Sequence, residues 1–419
     1  MDDPTSPIAD ATCLACGCLC DDIALTTRDG RIVEADRACP IGRDWFLGEH
    51  RRGDRPVAAV EGVVASFDDA VSRAASILSA SRSPLILGLT QTTLESQRLA
   101  VTIADRIGAT IDPRGVADSL PRWRAVQRVG MVSATLGEVK SRADVIVFWG
   151  VDPVTTHPRH LERYSGEPIG RFVPDGRKGR TIVVVDAERT ATAEGADGFA
   201  HVDRDRQGEA LATLRMLARG IEPNAVDPAL RELAATMRRA RYGAFFFGPS
   251  LARSSDIEEA IKLVRDLNAT TRFVALSMGG PGNAAGAEAV LSWQAGSPRA
   301  VDFAAGFPRF LPDEATAERR LSRGEADAAL VVADDPAEFL SPDALAFLHT
   351  IPTIAIAPMA TDRRATVAMN SATTGIDAGG TVMRCDGAPL PLRPALATTL
   401  PDDRAWLAAI LARLETNSP

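Results

Sequence analysis

The sequence is short of histidine and aromatic residues, and it has no long apolar run; each shortage closes off a class of function. Only five histidines occur in 419 residues, and none falls in an H-E-x-x-H or similar metal-hydrolase spacing. No apolar stretch approaches eighteen residues, so no membrane-spanning helix is expected. The net charge of −8 and the lack of a basic stripe interleaved with aromatics argue against broad nucleic-acid binding. No G-x-G-x-x-G follows a strand-like run, which leaves little support for a nicotinamide-dinucleotide enzyme. The first residues, Met1-Asp2-Asp3-Pro4, lack the basic and apolar stretches of an export signal, so a cytoplasmic location is expected. In a reducing compartment the six cysteines read as ligands or core residues rather than as disulfides.

Four of those cysteines carry the strongest signal. Cys13, Cys16 and Cys20 fall within eight residues, and Cys39 follows after eighteen intervening residues. Three crowded thiols and a fourth returning from a distance suit one [4Fe–4S] cluster, because thiolates are soft, strongly donating ligands. Zinc is the alternative, but it favours two C-x2-C knuckles. Here Cys39 is followed by Pro40 and has no partner two residues on. A vacant site also stays open at this point. Cys18 and Cys385 are read as small buried hydrophobes outside the ligand set. Ile23–Thr27, the turn around Asp29-Gly30, and Ile32–Glu34 read as a hairpin, which would bring Cys39 back beside the first three cysteines.

A chain of this length exceeds one ordinary core, and two or three domains are expected. From about residue 66, short apolar runs alternate with amphipathic helices. Strands are expected at 84–88, 145–149, 181–185, 244–247, 273–276, 328–332 and 353–356; helices are expected at about 67–81, 93–107, 206–219, 228–240 and 255–267. Such alternation means parallel sheets buried on both faces. There are too many strands for one sheet, so two Rossmann-like domains are expected. Several strands end in small or acidic residues: Gly150 and Asp152, Asp186 and Arg189, Gly248, and Asp334-Asp335. Ligands of open α/β sheets sit at such carboxyl ends. Any one such Asp reads more simply as a helix cap or turn residue, while four together favour a dinucleotide-binding history. Trp406, Leu407, Ile410, Leu411 and Leu414 form an apolar strip on the last helix, which reads as core or as an interface.

Taken together, Cys13–Ile23, Ala38–Gly42, Gly137–Asp144, Phe148–Pro153 with His157–His160, Val184–Asp186 with Arg189-Thr190, Asn283, Gly286, Trp293, Val301–Phe303 and Gly379–Thr381 resemble the B subunit of formylmethanofuran dehydrogenase, in the molybdopterin oxidoreductase superfamily. Among members, the chain resembles most the B subunit of the bacterial formyltransferase/hydrolase complex. The resemblance implies an α/β architecture with a small N-terminal iron–sulfur domain (1–60) and two Rossmann-like parallel-sheet domains, one inserted in the other. The boundaries implied are 61–140 for the first part of the Rossmann-like domain, 141–275 for the inserted one, and 276–419 for the return segment and C-terminal helix. It further implies two pterin guanine dinucleotides holding tungsten or molybdenum, with Gly150, Asp152, Asp186 and Arg189 as the residues that would bind them. A small cap subunit, an amidohydrolase-like hydrolase subunit and a formyltransferase subunit are the implied partners, in tetrahydromethanopterin-linked conversion of formaldehyde to formate.

The departures from the family pattern matter as much. The positions where redox-active members place a metal-bound cysteine and a following histidine fall on Asp118 and Ser119, and an arginine placed near the metal falls on Gly279. No cysteine lies between Cys39 and Cys385. Two accounts follow. In the first, the chain is a scaffold that has lost the metal–pterin centre. In the second, Asp118 ligates the metal in an active oxidoreductase. A third reading, a nucleotide-binding module unrelated to one-carbon metabolism, leaves the cysteines unexplained. The simultaneous loss of thiolate, imidazole and guanidinium favours the scaffold.

Overall fold

The computed structural model describes residues 7–48, 55–115 and 119–416, in two compact units. The first comprises Met1–Arg114, Gly280–Arg384 and Pro389–Pro419; the second comprises Gly115–Gly279 and Cys385–Ala388.

In the first unit the predicted hairpin is present as Ile23–Arg28 paired with Arg31–Asp36, and Pro7–Ala11 adds a third antiparallel strand. Asp29 and Gly30 both have positive φ (49° and 67°), the combination a tight two-residue hairpin turn demands. The main sheet has nine strands. Its parallel centre runs Thr110–Pro113, Pro84–Gly88, Ala328–Val332, Thr353–Ala357 and Val367–Asn370, and short antiparallel strands close both edges. The four residue runs Leu85–Gly88, Ala328–Val332, Thr353–Ala357 and Val367–Asn370 are buried throughout, as a sheet covered on both faces requires. The final helix, Asp403–Thr416, is core rather than interface: Trp406, Leu407, Ile410 and Leu414 are buried, and Trp406 stacks on Phe67 at 4.3 Å.

The second unit is a five-stranded parallel sheet ordered Gly198–His201, Thr181–Asp186, Val145–Trp149, Gly243–Phe247, Phe273–Ser277. The chain starts at the centre, builds outward to one side, then crosses to the other. The switch point therefore lies between Val145–Trp149 and Gly243–Phe247, where doubly wound sheets open a crevice at their carboxyl ends. Helices Gln207–Ala218, Pro228–Arg239 and Ser254–Leu267 pack apolar faces on this sheet.

Candidate metal centre and strand-end sites

The N-terminal cysteines are gathered by a backbone pinch and a helix start. Cys13 N–H donates to Cys20 O at 2.8 Å, and Leu19 N–H donates to Cys16 O at 3.1 Å, which folds residues 13–20 into a tight loop. Cys39 is the N-cap of the helix Pro40–Leu47, with Pro40 at its first position, where a missing N–H is harmless. The Gly42 N–H donates to Cys39 Sγ at 3.4 Å. A helix N-terminus of this kind presents backbone N–H donors to the sulfur. Cys13, Cys18 and Cys20 are buried, while Cys16 and Cys39 are half-buried. Burial pushes the Cys13 thiol up, and the fields of Cys16, Cys20 and Cys39 act in the same direction. The hydrogen bond from the Cys18 thiol lowers Cys16, against its own burial, and a backbone bond from Cys18 adds to it.

Gly42 marks the space between these sulfurs. A Cβ there would stand 3.0 Å from Cys13 Sγ and 3.6 Å from Cys39 Sγ, so any side chain would fill the place beside the thiols. The cysteine set thus fits a soft-metal group: four thiols within each other's fields, a helix N-terminus, and a gap kept open by glycine. Among the described residues no three His, Cys, Asp or Glu side chains close on a common point as a single-ion site.

The strand-end residues have mostly local duties. Gly150 takes φ +60°, and Ser250 packs so closely that a Cβ on Gly150 would overlap its hydroxyl. A Cβ on Gly248 would stand 2.8 Å from Val151 Cβ. The loops flanking the switch point therefore interlock, and both glycines are required by close approach. Asp152 Oδ2 accepts from Thr155 Oγ1 at 2.6 Å, and Oδ1 accepts from Thr192 N–H at 2.9 Å and from the Thr192 hydroxyl. Partial burial opposes its ionisation, but these bonds outweigh it and hold the carboxyl below its usual range. Asp152 thus ties the starts of two short helices together. Asp186 Oδ1 accepts from Ala187 N–H at 2.7 Å, and the exposed Arg189 lies over the Phe199 ring at 5.0 Å. Of the four, Asp186 and Arg189 keep the most hydrogen-bonding capacity for a ligand.

At the carboxyl edge of the first unit's sheet, Asp334 is buried, accepts from Thr90 N–H and Oγ1 at 2.6 Å each, and meets Arg114 at 3.4 Å. Burial dominates there and raises its carboxyl pKa. Asp335 caps a turn through Ala337 N–H at 3.0 Å. Leu89, Ala333 and Met359 all have positive φ (71°, 64° and 61°). Such strain in non-glycine residues persists only where the surroundings over-determine it.

Of the three positions that the sequence sets against the family's redox residues, Asp118 lies outside the described residues. Ser119 is fully buried at the start of the helix Ser119–Val129. Gly279 has φ +76°, and a Cβ on it would stand 2.6 Å from Cys385 Cβ. Near it, burial holds His157 down to about 4 and His160 to about 3, with His157 further depressing His160. The sequence spacing did not mark Gly42, Ser250 or Thr192 as site residues, because each matters through a contact made from outside its own segment.

The chain is 36% identical over 412 residues to the B subunit of the tungsten-containing formylmethanofuran dehydrogenase 2 of Methanocaldococcus jannaschii, covering 93% of this chain and 94% of that one. It is 33% identical to the protein of the same name from Methanococcus maripaludis, over 92% of this chain and 93% of that one. It is also 31% identical to the B subunit of the formyltransferase/hydrolase complex Fhc of Methylorubrum extorquens, over 67% and 75%. No family model matches the chain. Among solved structures, the formyltransferase/hydrolase complex FhcABCD from Methylorubrum extorquens, in complex with methylofuran, superposes with a TM-score of 0.74 at 27% identity, covering 86% of this chain and 99% of that one. Acetylene hydratase from Pelobacter acetylenicus shares the fold at TM-score 0.65 and 11% identity, over 96% and 69%. The fold is thus the α/β type of these proteins. The chain belongs to the family of formylmethanofuran dehydrogenase B subunits, which includes the corresponding subunit of the formyltransferase/hydrolase complex.

Proposed function

We propose that this chain is the B subunit of a formyltransferase/hydrolase-type complex in tetrahydromethanopterin-linked one-carbon metabolism, retaining an iron–sulfur site but without the tungsten or molybdenum pterin centre. Its partners in this reading are an amidohydrolase-like hydrolase subunit, a formyltransferase subunit and a small cap subunit. Carrying a formyl group from a pterin carrier to a furan amine and releasing it as formate involves no net electron transfer. The chain's task is then to hold the complex together, and the catalytic groups belong to its partners.

The observation that carries this reading is Gly279. A side chain at that position would collide with Cys385, which supports the loss of the guanidinium that the family pattern places near the metal. The absence of any cysteine between Cys39 and Cys385 removes the soft ligand as well. For the cluster itself, Cys13, Cys16, Cys20 and Cys39 are the proposed ligands. A cubane spreads its thiolates round a body rather than gathering them on one point, which suits the gap at Gly42. When bound, such a cluster accepts and donates one electron and rigidifies the loop that wraps it. The chain's residues would supply four thiolates, the helix N-terminus at Cys39 and the hydrogen bonds of Cys18.

The second reading keeps the redox centre, with Asp118 as an oxygen ligand to tungsten or molybdenum; the 36% identity over 93% of the chain to a tungsten-containing relative favours it. A viologen assay on the purified complex separates the two. Formyl transfer without formate-linked viologen reduction is expected. Viologen reduction at the rate of a dehydrogenase would overturn the scaffold reading.

A further inference from the structure

The amino ends of three adjacent strands of the second unit's sheet, the edge opposite the strand-end residues above, are rich in arginine. Asp144 precedes Val145–Trp149, Arg241 and Tyr242 precede Gly243–Phe247, and Arg272 precedes Phe273–Ser277. Val132 lies along the outermost strand, its carbonyl accepting from Ala275 N–H at 2.8 Å. The helix Leu136–Arg142 contributes Glu138 and Arg142, and the loop beyond the sheet contributes Phe172. All of these except Asp144, together with Ser133 and Val274, line an open cleft of about 620 Å³.

One wall of this cleft is built in advance. Phe172 is 45% exposed, yet its N–H donates to Ser141 O at 2.9 Å and the Arg142 guanidinium stacks over its ring at 4.5 Å. A Cβ on Gly170 would stand 2.2 Å from Lys140 O, so the loop sits hard against the helix. The buried Arg180 clamps it by donating to Lys140 O at 2.7 Å and Pro168 O at 2.9 Å. An exposed aromatic held this firmly loses little entropy on contact with a partner.

The charge balance decides what the cleft would take. Asp144 is turned inward at 13% exposure and is engaged by Arg241 at 2.9 Å and by the N–H groups of Arg241 and Tyr242. Glu138 lies 3.6 Å from Arg142 and accepts from the Tyr242 hydroxyl, which burial and that carboxylate keep protonated. Arg241 is 73% exposed beyond its pair, and Arg272 is exposed with no ion pair among the described residues. On a chain of net charge −8, the outward face of this cleft is cationic around an apolar floor of Val132 and Phe172. Arginine beside a rigid aromatic is the composition of an interface centre.

We propose that this cleft docks an acidic segment of a partner protein in the complex, with carboxylates on Arg241 and Arg272 and an apolar side chain against Val132 and Phe172. The proposal rests on the chain's family as a component of multi-subunit complexes and is independent of the metal content of such a complex.

The test uses the intact complex purified with its partner subunits. Reversing charge with Arg241→Glu plus Arg272→Glu is expected to weaken retention of one partner at least tenfold in native mass spectrometry and to flatten its salt dependence. Arg204→Glu, an exposed change at the opposite end of the sheet, and Arg272→Lys are expected to leave assembly unchanged. Since Arg241 also contacts Asp144, a photo-crosslinking amino acid at Phe172 gives a readout in an otherwise native chain. A crosslink to an acidic segment of a partner supports the proposal. Wild-type assembly of the double variant at every salt concentration, or no crosslink from Phe172 to any partner, overturns it. Displacement of no partner but saturable binding of inorganic phosphate or ATP at the cleft also overturns it, in favour of a small-anion site.

Discussion

Gly279 and Cys385 occupy space that only a glycine leaves open: the glycine sits at φ +76°, and the side chain it lacks would meet Cys385 Cβ at 2.6 Å. Gly279→Ala is therefore expected to destabilise the second unit by about 2 kcal/mol or more, through left-handed strain plus overpacking. Chemical denaturation measures it. Adding Cys385→Gly should recover the packing share and leave the strain. A variant as stable as the parent would mean that the position accepts a Cβ and would remove the packing argument.

The cysteines should divide into two sets. Cys13→Ser, Cys16→Ser, Cys20→Ser and Cys39→Ser are each expected to abolish dithionite-bleachable absorbance near 400 nm, because each thiolate is a proposed ligand. Cys385→Ala is expected to keep it. Gly42→Ala, which puts a methyl 3.0 Å from Cys13 Sγ, should lower iron occupancy without changing any ligand. Unchanged iron in Gly42→Ala would remove the gap beside the thiols from the account.

His157 and His160 give the second unit a defined acid weakness. Their folded pKa values, about 4 and about 3, lie below the ordinary 6.5. The stability they confer as neutral groups is complete above pH 6.5 and is lost as pH falls from there toward those values. Each contributes a slope of up to about 1.4 kcal/mol per pH unit within its window. Hydrogen-exchange protection in the strands Val145–Trp149 and Gly243–Phe247, corrected for the intrinsic amide rate at each pH, should fall between pH 6.5 and 5, and His157→Gln should flatten the trend. An unchanged pH slope in that variant would contradict the burial argument.

Asp403 has the opposite sign. Burial raises its carboxyl to about 6, against the opposing pull of the Thr92, Ser371 and Thr374 hydroxyls, of which Thr374 donates at 3.5 Å. Its favourable protonated state is fully held below the ordinary carboxylate pKa near 4 and is lost as pH rises through 6. Asp403→Asn is expected to stabilise the C-terminal helix by about 1–3 kcal/mol at pH 8 and to do little at pH 4. Thermal melts at the two pH values check this, and equal effects at both would refute it.

The strands that the sequence made legible are those buried on both faces, such as Pro84–Gly88, Val145–Trp149 and Ala328–Val332, where composition alone marks a central parallel position. Edge and short strands such as Val63–Ala65, three residues long with both valines exposed, and Gly198–His201, with a glycine and a histidine, carry no such buried run. The cysteine spacing and the Asp29-Gly30 turn were local and therefore readable. Asp152 was less so: its commitment to Thr192, forty residues away, depends on the fold. At Asp152 and Asp335 the hydrogen bonds are those of the cap and turn roles that the sequence also allowed.

In the proposed reading the cluster site persists without a metal–pterin centre. Metal analysis of the purified complex tests this most directly. About four irons per chain with no tungsten or molybdenum are expected. Stoichiometric tungsten or molybdenum with extractable pterin would contradict it.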